Sequence, residues 1–319
     1  MPKFIHVAAA VICNENGDIL IARRPATVDQ GGLWEFPGGK LAPYETARQA
    51  LARELNEEIG IQVTSASPLI AINHQYPEYN VLLDVWRVHS FDGEAYGREG
   101  QAVRWVKPED LKKYSFPEAN HSILKAISIP DYYVITGAAE NEEEWLLKLT
   151  RALNAGAELV QMRVPSLDKN EFLSRAKKAL ALTSESGAKL ILNSAADLLG
   201  QIDADGIHLS SERLSHYSQR PIPRDKLLSC ACHNLAQLEQ AIALQADLIT
   251  LSPVQATDSH PGVEPMGWQR FKELIEQVPV PVYALGGMGR EDIRKAKGLG
   301  GQGVAGIGAF WQQVSRSGK

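Results

Sequence analysis

Residues 34–61 have the sequence WEFPGGKLAPYETARQALARELNEEIGI, which contains the clearest structural pattern in the chain. Thr46 and Gln49 have the spacing of a capping box, and Gly60 lies where a helix would end in a left-handed conformation. Between them, apolar residues recur at the spacing of one helical face: Ala47, Ala50, Leu51 and Leu55. The pattern therefore predicts an amphipathic helix over residues 46–59.

Three glutamates lie off the apolar face of this helix: Glu54, Glu57 and Glu58. Offsets of three and four residues place their carboxylates on one face, where like charges destabilise a bare helix by about 0.2–0.5 kcal/mol per pair. A solvent-exposed acidic face would tolerate that cost. A face lining a cleft would need a counter-charge, and clustered carboxylates suit Mg²⁺ or Mn²⁺ bound to substrate phosphates.

The spacing of residues around this helix resembles the Nudix family of pyrophosphohydrolases, without departure at any fixed position. The matching positions are Gly39, Glu45, Arg53-Glu54-Leu55, Glu57-Glu58 and Gly60-Ile61. The resemblance implies an α/β/α sandwich with a mixed sheet. It also implies a reaction in which water attacks a phosphorus of a diphosphate while divalent metals polarise the phosphoryl oxygens.

The resemblance also assigns roles to individual residues. The metal ligands would be the Gly39 carbonyl and the carboxylates of Glu54, Glu57, Glu58 and Glu99, with Mg²⁺ as the cofactor and Mn²⁺ as the alternative. Glu45 and Arg53 would pair and hold the preceding loop against the helix. A base must take the proton of the attacking water, and Glu54 and Glu99 are both candidates, so Glu54, Glu57 and Glu99 form the predicted catalytic set.

Further landmarks resemble the bacterial MutT branch of this family, the 8-oxo-dGTP diphosphatases, over residues 4–127. They are Arg23-Arg24, Glu35 to Lys40, Gly97 to Gln101 and Phe116 to Asn120. The resemblance implies that Asn120 reads the oxidised guanine, because its amide offers a donor and an acceptor. Arg24 and Phe36 would line the base pocket, and the reaction would sanitise the nucleotide pool. The alternatives are a surface charge for Arg24, a core residue for Phe36 and the N-cap of a helix over residues 121–127 for Asn120.

After Pro130 the pattern changes to alternating strands and helices. Predicted strands cover residues 132–136, 158–163, 189–193, 206–209, 227–231, 247–251, 281–285 and 303–307. Eight such units predict a closed (β/α)8 TIM barrel. The chain is therefore expected to be an α/β protein with two domains, residues 1–129 and 130–319.

The second half resembles the thiamine phosphate synthase superfamily, which includes TenI-type thiazole tautomerases. The resemblance is carried by residues 160–163, 190–193, 205–209, 232–233 and 284–288. It implies a phosphate or ligand site, with a thiazole or thiamine phosphate as the ligand. The residues expected at that site are Arg163, His233, Gly286, Gly287 and Gly308.

Several positions depart from the catalytic pattern of that superfamily. Ser194 and Arg213 stand where the synthases carry carboxylates, a change that should abolish a Mg²⁺ site, and Pro165 replaces a lysine. Ser252-Pro253 replaces the tautomerase histidine, and His260 on the following loop is the remaining candidate. A non-catalytic module that binds a phosphate ligand is therefore an alternative for the barrel, and thiamine-type diphosphates are the alternative substrate of the Nudix half.

The composition fits a cytoplasmic globular enzyme. With 319 residues and a net charge of −5, the chain lacks the basic footprint of direct nucleic-acid binding. No apolar run is long enough to cross a membrane. Three cysteines give no disulfide framework, and the pair Cys230 and Cys232 is expected to face a core. The N-terminal apolar run and residues 19–22 are expected to form a buried β-hairpin.

Overall fold

The computed structural model describes residues 3–257 and 262–311. These residues divide into two compact units, built mainly on Met1–Ser128 and on Ile129–Ala296. Within the described ranges, no helix is both long and apolar enough to cross a membrane.

Two sheets form the first unit. Its strands are β1 (Lys3–Ile12), β2 (Ile19–Arg23), β3 (Trp34–Glu35), β4 (Gly38–Lys40), β5 (Gln62–Gln75), β6 (Tyr79–Asp92) and β7 (Val103–Val106). One sheet has the order β4-β1-β6-β5 and is mixed, because β1 pairs parallel with β6 while the other pairs are antiparallel. The other sheet, β3-β2-β7, is antiparallel.

Helices cover both faces of the mixed sheet. Ala8, Ala10 and Ile12 of β1 belong to the core shared with α1 (Ala47–Glu54). The alternate residues Ala9 and Val11 belong to the core shared with α2 (Asn120–Ile127). Successive side chains of a strand point to opposite faces, so a strand such as β1 that is buried on both faces needs a continuous run of apolar residues. The predicted α/β/α sandwich is confirmed.

The predicted N-terminal hairpin is wrong. β1 and β2 lie in different sheets, and an isolated antiparallel bridge between Cys13 and Ile19 joins their ends. The turn between them is closed by the Asn14 side chain, which accepts hydrogen bonds from the Asn16 and Asp18 amides at 2.9 Å. Sequence could not show that β1 pairs with the distant strand β6 instead, because strand partners depend on long-range packing.

The helical segment predicted over residues 46–59 has the expected extent, but only its first part is an α-helix. The Thr46–Gln49 capping box begins α1 as expected, and Gly60 ends the segment with a φ of 78°. Between them, α1 stops at Glu54 and a π-helical turn covers Leu55–Ile59. Such turns are rare and occur frequently at functional sites. Leu51, Leu55 and Ile59 remain fully buried through the change.

The second unit is a closed barrel of eight parallel strands, as predicted. The strands are β8 (Tyr132–Ile135), β9 (Leu159–Met162), β10 (Lys189–Asn193), β11 (Gly206–Leu209), β12 (Leu227–Cys232), β13 (Leu248–Leu251), β14 (Val282–Leu285) and β15 (Gly303–Gly306). The helices are α3 (Glu142–Asn154), α4 (Lys169–Glu185), α5 (Ser211–Leu214), α6 (Leu235–Ala243), α7 (Gly267–Ile275), α8 (Ile293–Gly298) and α9 (Gly308–Trp311). The barrel fits a short chain because a 3-10 turn follows β10 and a four-residue helix follows β11.

The barrel interior combines aromatic and polar side chains. Tyr133 and Tyr283 are fully buried, with ring centroids 5.6 Å apart. Cys230 and Cys232 are also buried, as expected, and burial raises the pKa of both thiols. They are therefore protonated core residues at neutral pH.

Candidate active site and barrel cavity

Arg53 joins the acidic helix to the loop before it. Its Nε and Nη2 atoms donate to the two carboxylate oxygens of Glu45, each at 2.9 Å, and Nη2 also donates to the Lys40 carbonyl at 3.1 Å. The hydrogen bond from Arg53 holds the pKa of Glu45 below its usual range. A bidentate pair of this kind fixes geometry as well as charge, so the loop is held against α1.

The same guanidinium contacts two of the carboxylates predicted to bind metal. Arg53 Nη1 donates to Glu54 at 2.8 Å and to Glu57 at 3.1 Å. In the described ranges, no three histidine, cysteine, aspartate or glutamate side chains converge into a preformed metal site. A metal ion bound by Glu54 and Glu57 would therefore have to compete with Arg53 for their carboxylates.

Glu58 lies within a cluster of negative charges. Burial raises the pKa of Glu58 to about 7, and the nearby carboxylates of Glu54, Glu35 and Glu99 act in the same direction. The Gly38 amide donates to Glu58 and opposes this shift. The structure therefore brings Glu99, from a distant loop, near the helical glutamates.

That loop is attached to the carbonyl groups of the π-helical turn. The Arg98 amide and Gln101 Nε2 both donate to the Glu58 carbonyl at 2.9 Å. The Tyr96 amide donates to the Ile59 carbonyl at 3.0 Å, and Gln101 Oε1 accepts from the Glu99 amide at 2.9 Å. Sequence reasoning missed Arg98 and Gln101 as positioning residues. The flanking glycines, Gly97 and Gly100, mark the loop but do not show where it docks.

Arg24 lies in a polar network at the end of β2. Its guanidinium forms an ion pair with Glu35 and donates to the Asp29 carbonyl through Nε at 3.1 Å and Nη2 at 2.9 Å. Burial raises the pKa of Glu35 more than Arg24 lowers it. Tyr79 donates its hydroxyl to Asp29 at 3.2 Å. Arg24 is therefore a half-buried residue that is both ion-paired and hydrogen-bonded.

Phe36 and Asn120 occupy different environments. Phe36 is buried in the core and stacks on Phe116, with ring centroids 5.5 Å apart and planes at 18°. Asn120 is the first residue of α2, and the cap position before it belongs to Ala119, which makes no side-chain cap bond. The N-cap interpretation of Asn120 is therefore wrong, because α2 begins one residue earlier than predicted. The Asn120 side chain is half-buried and makes no hydrogen bond within the described part of the chain.

A cavity of about 430 Å³ lies at the carboxyl ends of the barrel strands. All five residues predicted from the second resemblance line it: Arg163, His233, Gly286, Gly287 and Gly308. Gly286 and Gly287 have φ angles of 97° and 66°. A side chain on Gly287 would also come within 2.5 Å of the Ala256 carbonyl. These two positions therefore require glycine.

A series of polar side chains joins two residues that line the cavity, Gln161 and Asn193, to two that do not, Arg213 and Tyr133. Arg213 donates to Asn193 at 2.9 Å, Asn193 donates to Gln161 at 2.9 Å, and Gln161 donates to the Tyr133 hydroxyl at 3.3 Å. His233 Nδ1 lies 2.7 Å from the Ser252 carbonyl. Ser194 donates to the Ala195 carbonyl at 3.2 Å. His260, the proposed substitute for the tautomerase histidine, lies outside the described residues.

Comparison with known proteins identifies both units. A family model described as NUDIX domain matches residues 8–126, and one described as thiamine monophosphate synthase matches residues 132–310. A CTP pyrophosphohydrolase of Escherichia coli (strain K12) is 42% identical over 124 residues, which cover 39% of this chain and 91% of the relative. A thiamine-phosphate synthase of Desulfitobacterium hafniense (strain Y51) is 31% identical over 190 residues, 59% of this chain and 92% of the relative. The chain is a Nudix hydrolase joined to a member of the thiamine monophosphate synthase family.

The Nudix half has a further named relative. An 8-oxo-dGTP diphosphatase of Escherichia coli (strain K12) is 37% identical over 122 residues, which cover 38% of this chain and 95% of the relative. Nudix hydrolases act on small nucleotide substrates and use divalent metal ions.

The donor set of the Nudix half fits a divalent cation. Carboxylate and carbonyl oxygens are the ligands that Mg²⁺ and Mn²⁺ prefer. The Glu54 carboxylate lies against the backbone of Gly39, because a side chain there would stand 2.2 Å from Glu54 Cδ. The absence of a side chain at Gly39 therefore makes room for the carboxylate of Glu54.

Proposed function

We propose that residues 1–129 hydrolyse a nucleoside triphosphate to a nucleoside monophosphate and pyrophosphate, with 8-oxo-dGTP as the preferred substrate. The observation that carries the reaction type is the grouping of Glu54, Glu57 and Glu58 on one helix with Glu99 beside them. Carboxylates gathered without enough basic partners are suited to bind cations, and cations are what a polyphosphate needs as counter-charges.

Each residue of the acidic cluster has a proposed task. Glu54, Glu57, Glu58, Glu99 and the Gly39 carbonyl hold the metal, which is Mg²⁺ or Mn²⁺. When bound, the metal polarises the phosphoryl oxygens and lowers the pKa of the attacking water. Arg53 keeps the helix and the preceding loop in register through Glu45. The base that accepts the proton of the water is Glu54 or Glu99.

The preference for an oxidised purine rests on Asn120. Its amide has both a donor and an acceptor, and neither is used within the described part of the chain. A site that reads a base edge by hydrogen bonds rejects analogues that lack the matching group. The name of the relative that is 37% identical, 8-oxo-dGTP diphosphatase, agrees with this choice.

Two other substrates are supported by particular observations. The relative that is 42% identical is named CTP pyrophosphohydrolase, which favours a pyrimidine triphosphate. The barrel belongs to the thiamine monophosphate synthase family, which favours a thiamine-type diphosphate for the Nudix half. A screen of phosphate and pyrophosphate release over 8-oxo-dGTP, dGTP, CTP and thiamine diphosphate separates the three possibilities. We expect the highest kcat/KM with 8-oxo-dGTP, and a clear preference for either of the others would replace it.

The screen needs a variant that removes the reaction without removing the fold. Glu57→Gln should lower turnover of every substrate by on the order of 100-fold or more, because the lost carboxylate is a proposed metal ligand. Glu143→Gln is the matched control, since it makes the same change at an exposed position on α3. Equal activity of Glu57→Gln and the control would refute the proposed role of the acidic helix.

Asn120→Ala tests the base preference. We expect kcat/KM for 8-oxo-dGTP to fall by about tenfold or more, the effect of roughly 1.4 kcal/mol of lost transition-state binding, while kcat/KM for dGTP changes little. Thermal stability should be retained, because the side chain caps no helix. A parallel loss for both nucleotides would show that Asn120 does not read the oxidised base.

For residues 130–319 we propose a phosphate-binding module without synthase activity. Ser194 and Arg213 replace two carboxylates, and Arg213 donates to Asn193 instead of leaving room for a cation. The glycine loops would bind the phosphate of a thiazole or thiamine phosphate ligand. Formation of thiamine phosphate from the two synthase substrates by the purified protein would contradict this proposal.

A further inference from the structure

The Arg24 guanidinium has two protein partners and still keeps hydrogen-bond donors for a third. A guanidinium carries five N–H groups. Nε and Nη2 each use one on the Asp29 carbonyl, and Nη1 uses one on the Glu35 carboxylate. The two remaining N–H groups have no acceptor among the residues that the structure describes, and 26% of the side chain is exposed. Arg24 can therefore donate to an oxygen atom of a small molecule that reaches it.

Glu35 lies between Arg24 and the acidic cluster. Burial raises the pKa of Glu58 most, and the negative charge of Glu35 is among the nearby charges that raise it further. The backbone explains this proximity, because the Gly38 amide, three residues after Glu35, donates to Glu58. Glu35 is therefore an additional carboxylate beside the proposed metal ligands, and it is held by Arg24.

The strand that carries Glu35 also packs against the segment before Asn120. Phe36 is the next residue along the chain, and its ring stacks on that of Phe116 with the centroids 5.5 Å apart. Asn120 follows Phe116 by four residues, at the start of α2. A base that binds beside Asn120 is therefore close to the end of β3 that carries Glu35.

The ion pair between Arg24 and Glu35 limits how strongly the cluster attracts a cation. A guanidinium offsets much of the charge of a carboxylate that it contacts, whereas the same carboxylate without its partner attracts a nearby divalent cation. A ligand that draws the guanidinium away from Glu35 therefore strengthens metal binding at the cluster. Because such a coupling is reciprocal, the metal strengthens binding of that ligand by the same factor.

We propose that the Arg24–Glu35 ion pair couples nucleoside binding to metal binding in the Nudix half. A bound nucleoside accepts a hydrogen bond from Arg24 and weakens the ion pair, and the released charge of Glu35 raises the affinity of the acidic cluster for a divalent cation. The inference rests on the proposed function, since it takes the cluster as the metal site and a nucleotide as the substrate. Glu35 acts through its charge and contacts neither ligand, so it is a positioning residue.

Titration of the full chain with Mn²⁺, followed by electron paramagnetic resonance of the free ion, tests this coupling without turnover. The nucleoside 8-oxo-deoxyguanosine is the probe, because it has no phosphate that could bind the metal directly. We expect saturating nucleoside to tighten Mn²⁺ binding by about threefold to tenfold, the effect of one additional charge near a divalent cation in a partly solvated site. Mn²⁺ should tighten nucleoside binding by the same factor.

Arg24→Met should imitate the effect of the nucleoside. We expect this variant alone to bind Mn²⁺ as tightly as the wild type does with nucleoside, and the nucleoside should then add nothing. Arg23→Met is the matched control, because it removes the same charge from the preceding residue, whose guanidinium donates to the Gly32 carbonyl at 3.1 Å. It should bind Mn²⁺ and respond to the nucleoside as the wild type does.

Glu35→Gln tests whether Arg24 acts through this carboxylate. The variant keeps an oxygen that accepts from Arg24 but has no charge to release, so the nucleoside should no longer change Mn²⁺ affinity. Adding Arg24→Met to it should also have no further effect, which a double-mutant cycle measures. Glu35→Gln provides the second variant if Arg24→Met does not fold, and thermal unfolding shows which variants are folded.

Failure of the inference differs from failure of the proposed function. If Mn²⁺ does not bind, or binds equally well to Glu57→Gln, the cluster is not the metal site and both fall. If Mn²⁺ binding depends on Glu57 but 8-oxo-deoxyguanosine leaves it unchanged, the metal site stands and the coupling is refuted. A nucleoside effect that persists in Glu35→Gln, or an equal gain in Arg23→Met and Arg24→Met, also overturns the inference.

Discussion

At the scale of single residues, His208 shows how burial and charge combine. The ring is buried beside Ser229, with Nδ1 2.7 Å from the hydroxyl oxygen. Its pKa is lowered from 6.5 to about 3, so the folded barrel holds the neutral form at neutral pH. Below a pH of about 6.5 the unfolded chain binds a proton that the folded chain does not, and stability falls as the pH falls toward 3.

His208→Asn should therefore flatten the acid side of the stability profile of the barrel. The wild type is expected to lose roughly 1.4 kcal/mol per pH unit through this residue, or about 2 kcal/mol between pH 6.5 and 5. Chemical denaturation at these two pH values measures the difference. The same loss in wild type and variant would show that His208 does not couple protonation to folding.

The sequence identified the acidic residues of the candidate active site but not all of their side-chain contacts. The spacing from Gly39 to Ile61 was enough to propose the acidic cluster, because it depends on one local helix. The contact of Arg53 with Glu57 was not anticipated, since side-chain partners are a property of the folded surface. For Asn120, sequence left two interpretations open, and one residue of helix boundary was enough to exclude the cap.

At the scale of elements, the π-helical turn Leu55–Ile59 connects the helical glutamates of the candidate active site to the loop that contains Glu99. A π-helical turn leaves backbone carbonyls without helical donors near Gly60, and the loop around Glu99 supplies donors to them. The sequence predicted a helix of the right extent but did not distinguish the π-helical turn from an α-helix. The turn is only five residues long, which is too short to show its own spacing of apolar residues. The docked loop could not be predicted, because Gln101 is 43 residues from Glu58 along the chain, with the strands β5 and β6 between them.

Gln101→Leu tests whether this docking positions Glu99. Gln101 donates to the Glu58 carbonyl and accepts from the Glu99 amide, each at 2.9 Å. Removing both bonds should lower kcat by about tenfold, the effect of one or two neutral hydrogen bonds, with a smaller change in KM. Gln62→Leu, at an exposed position on β5, is the matched control. Normal turnover in Gln101→Leu would show that Glu99 needs no such support.

Strands that are recognisable from their own sequence were predicted, whereas a strand that depends on a distant partner was not. The barrel strands were predicted closely because each is a short apolar run between helices, and β10 and β11 match to the residue. β5 was missed, since its sequence contains Pro68 and polar residues and its pairing with β6 has register shifts. The strand depends on its long partner, which sequence alone did not identify.

At the scale of the whole molecule, the chain has two compact units with separate cores. Each unit contains its own candidate site, with the acidic cluster in the first and the barrel cavity in the second. Because a ligand stabilises the unit that binds it, the two sites should be separable by thermal unfolding.

We expect two unfolding transitions in a calorimetric scan. Mg²⁺ with a non-hydrolysable nucleotide should raise the midpoint of one transition, and an alkyl phosphate in EDTA should raise that of the other. Glu57→Gln should weaken only the first effect. A single transition that responds equally to both ligands would show that the units unfold together.

The proposed hydrolysis requires that the carboxylates of Glu54, Glu57 and Glu58 hold the cations that bind the triphosphate. Its most direct test is a crystal soaked with Mn²⁺ and a non-hydrolysable 8-oxo-dGTP analogue, measured at the manganese absorption edge. We expect anomalous density between these carboxylates and the phosphates. A bound nucleotide with no manganese beside the three glutamates would contradict the claim.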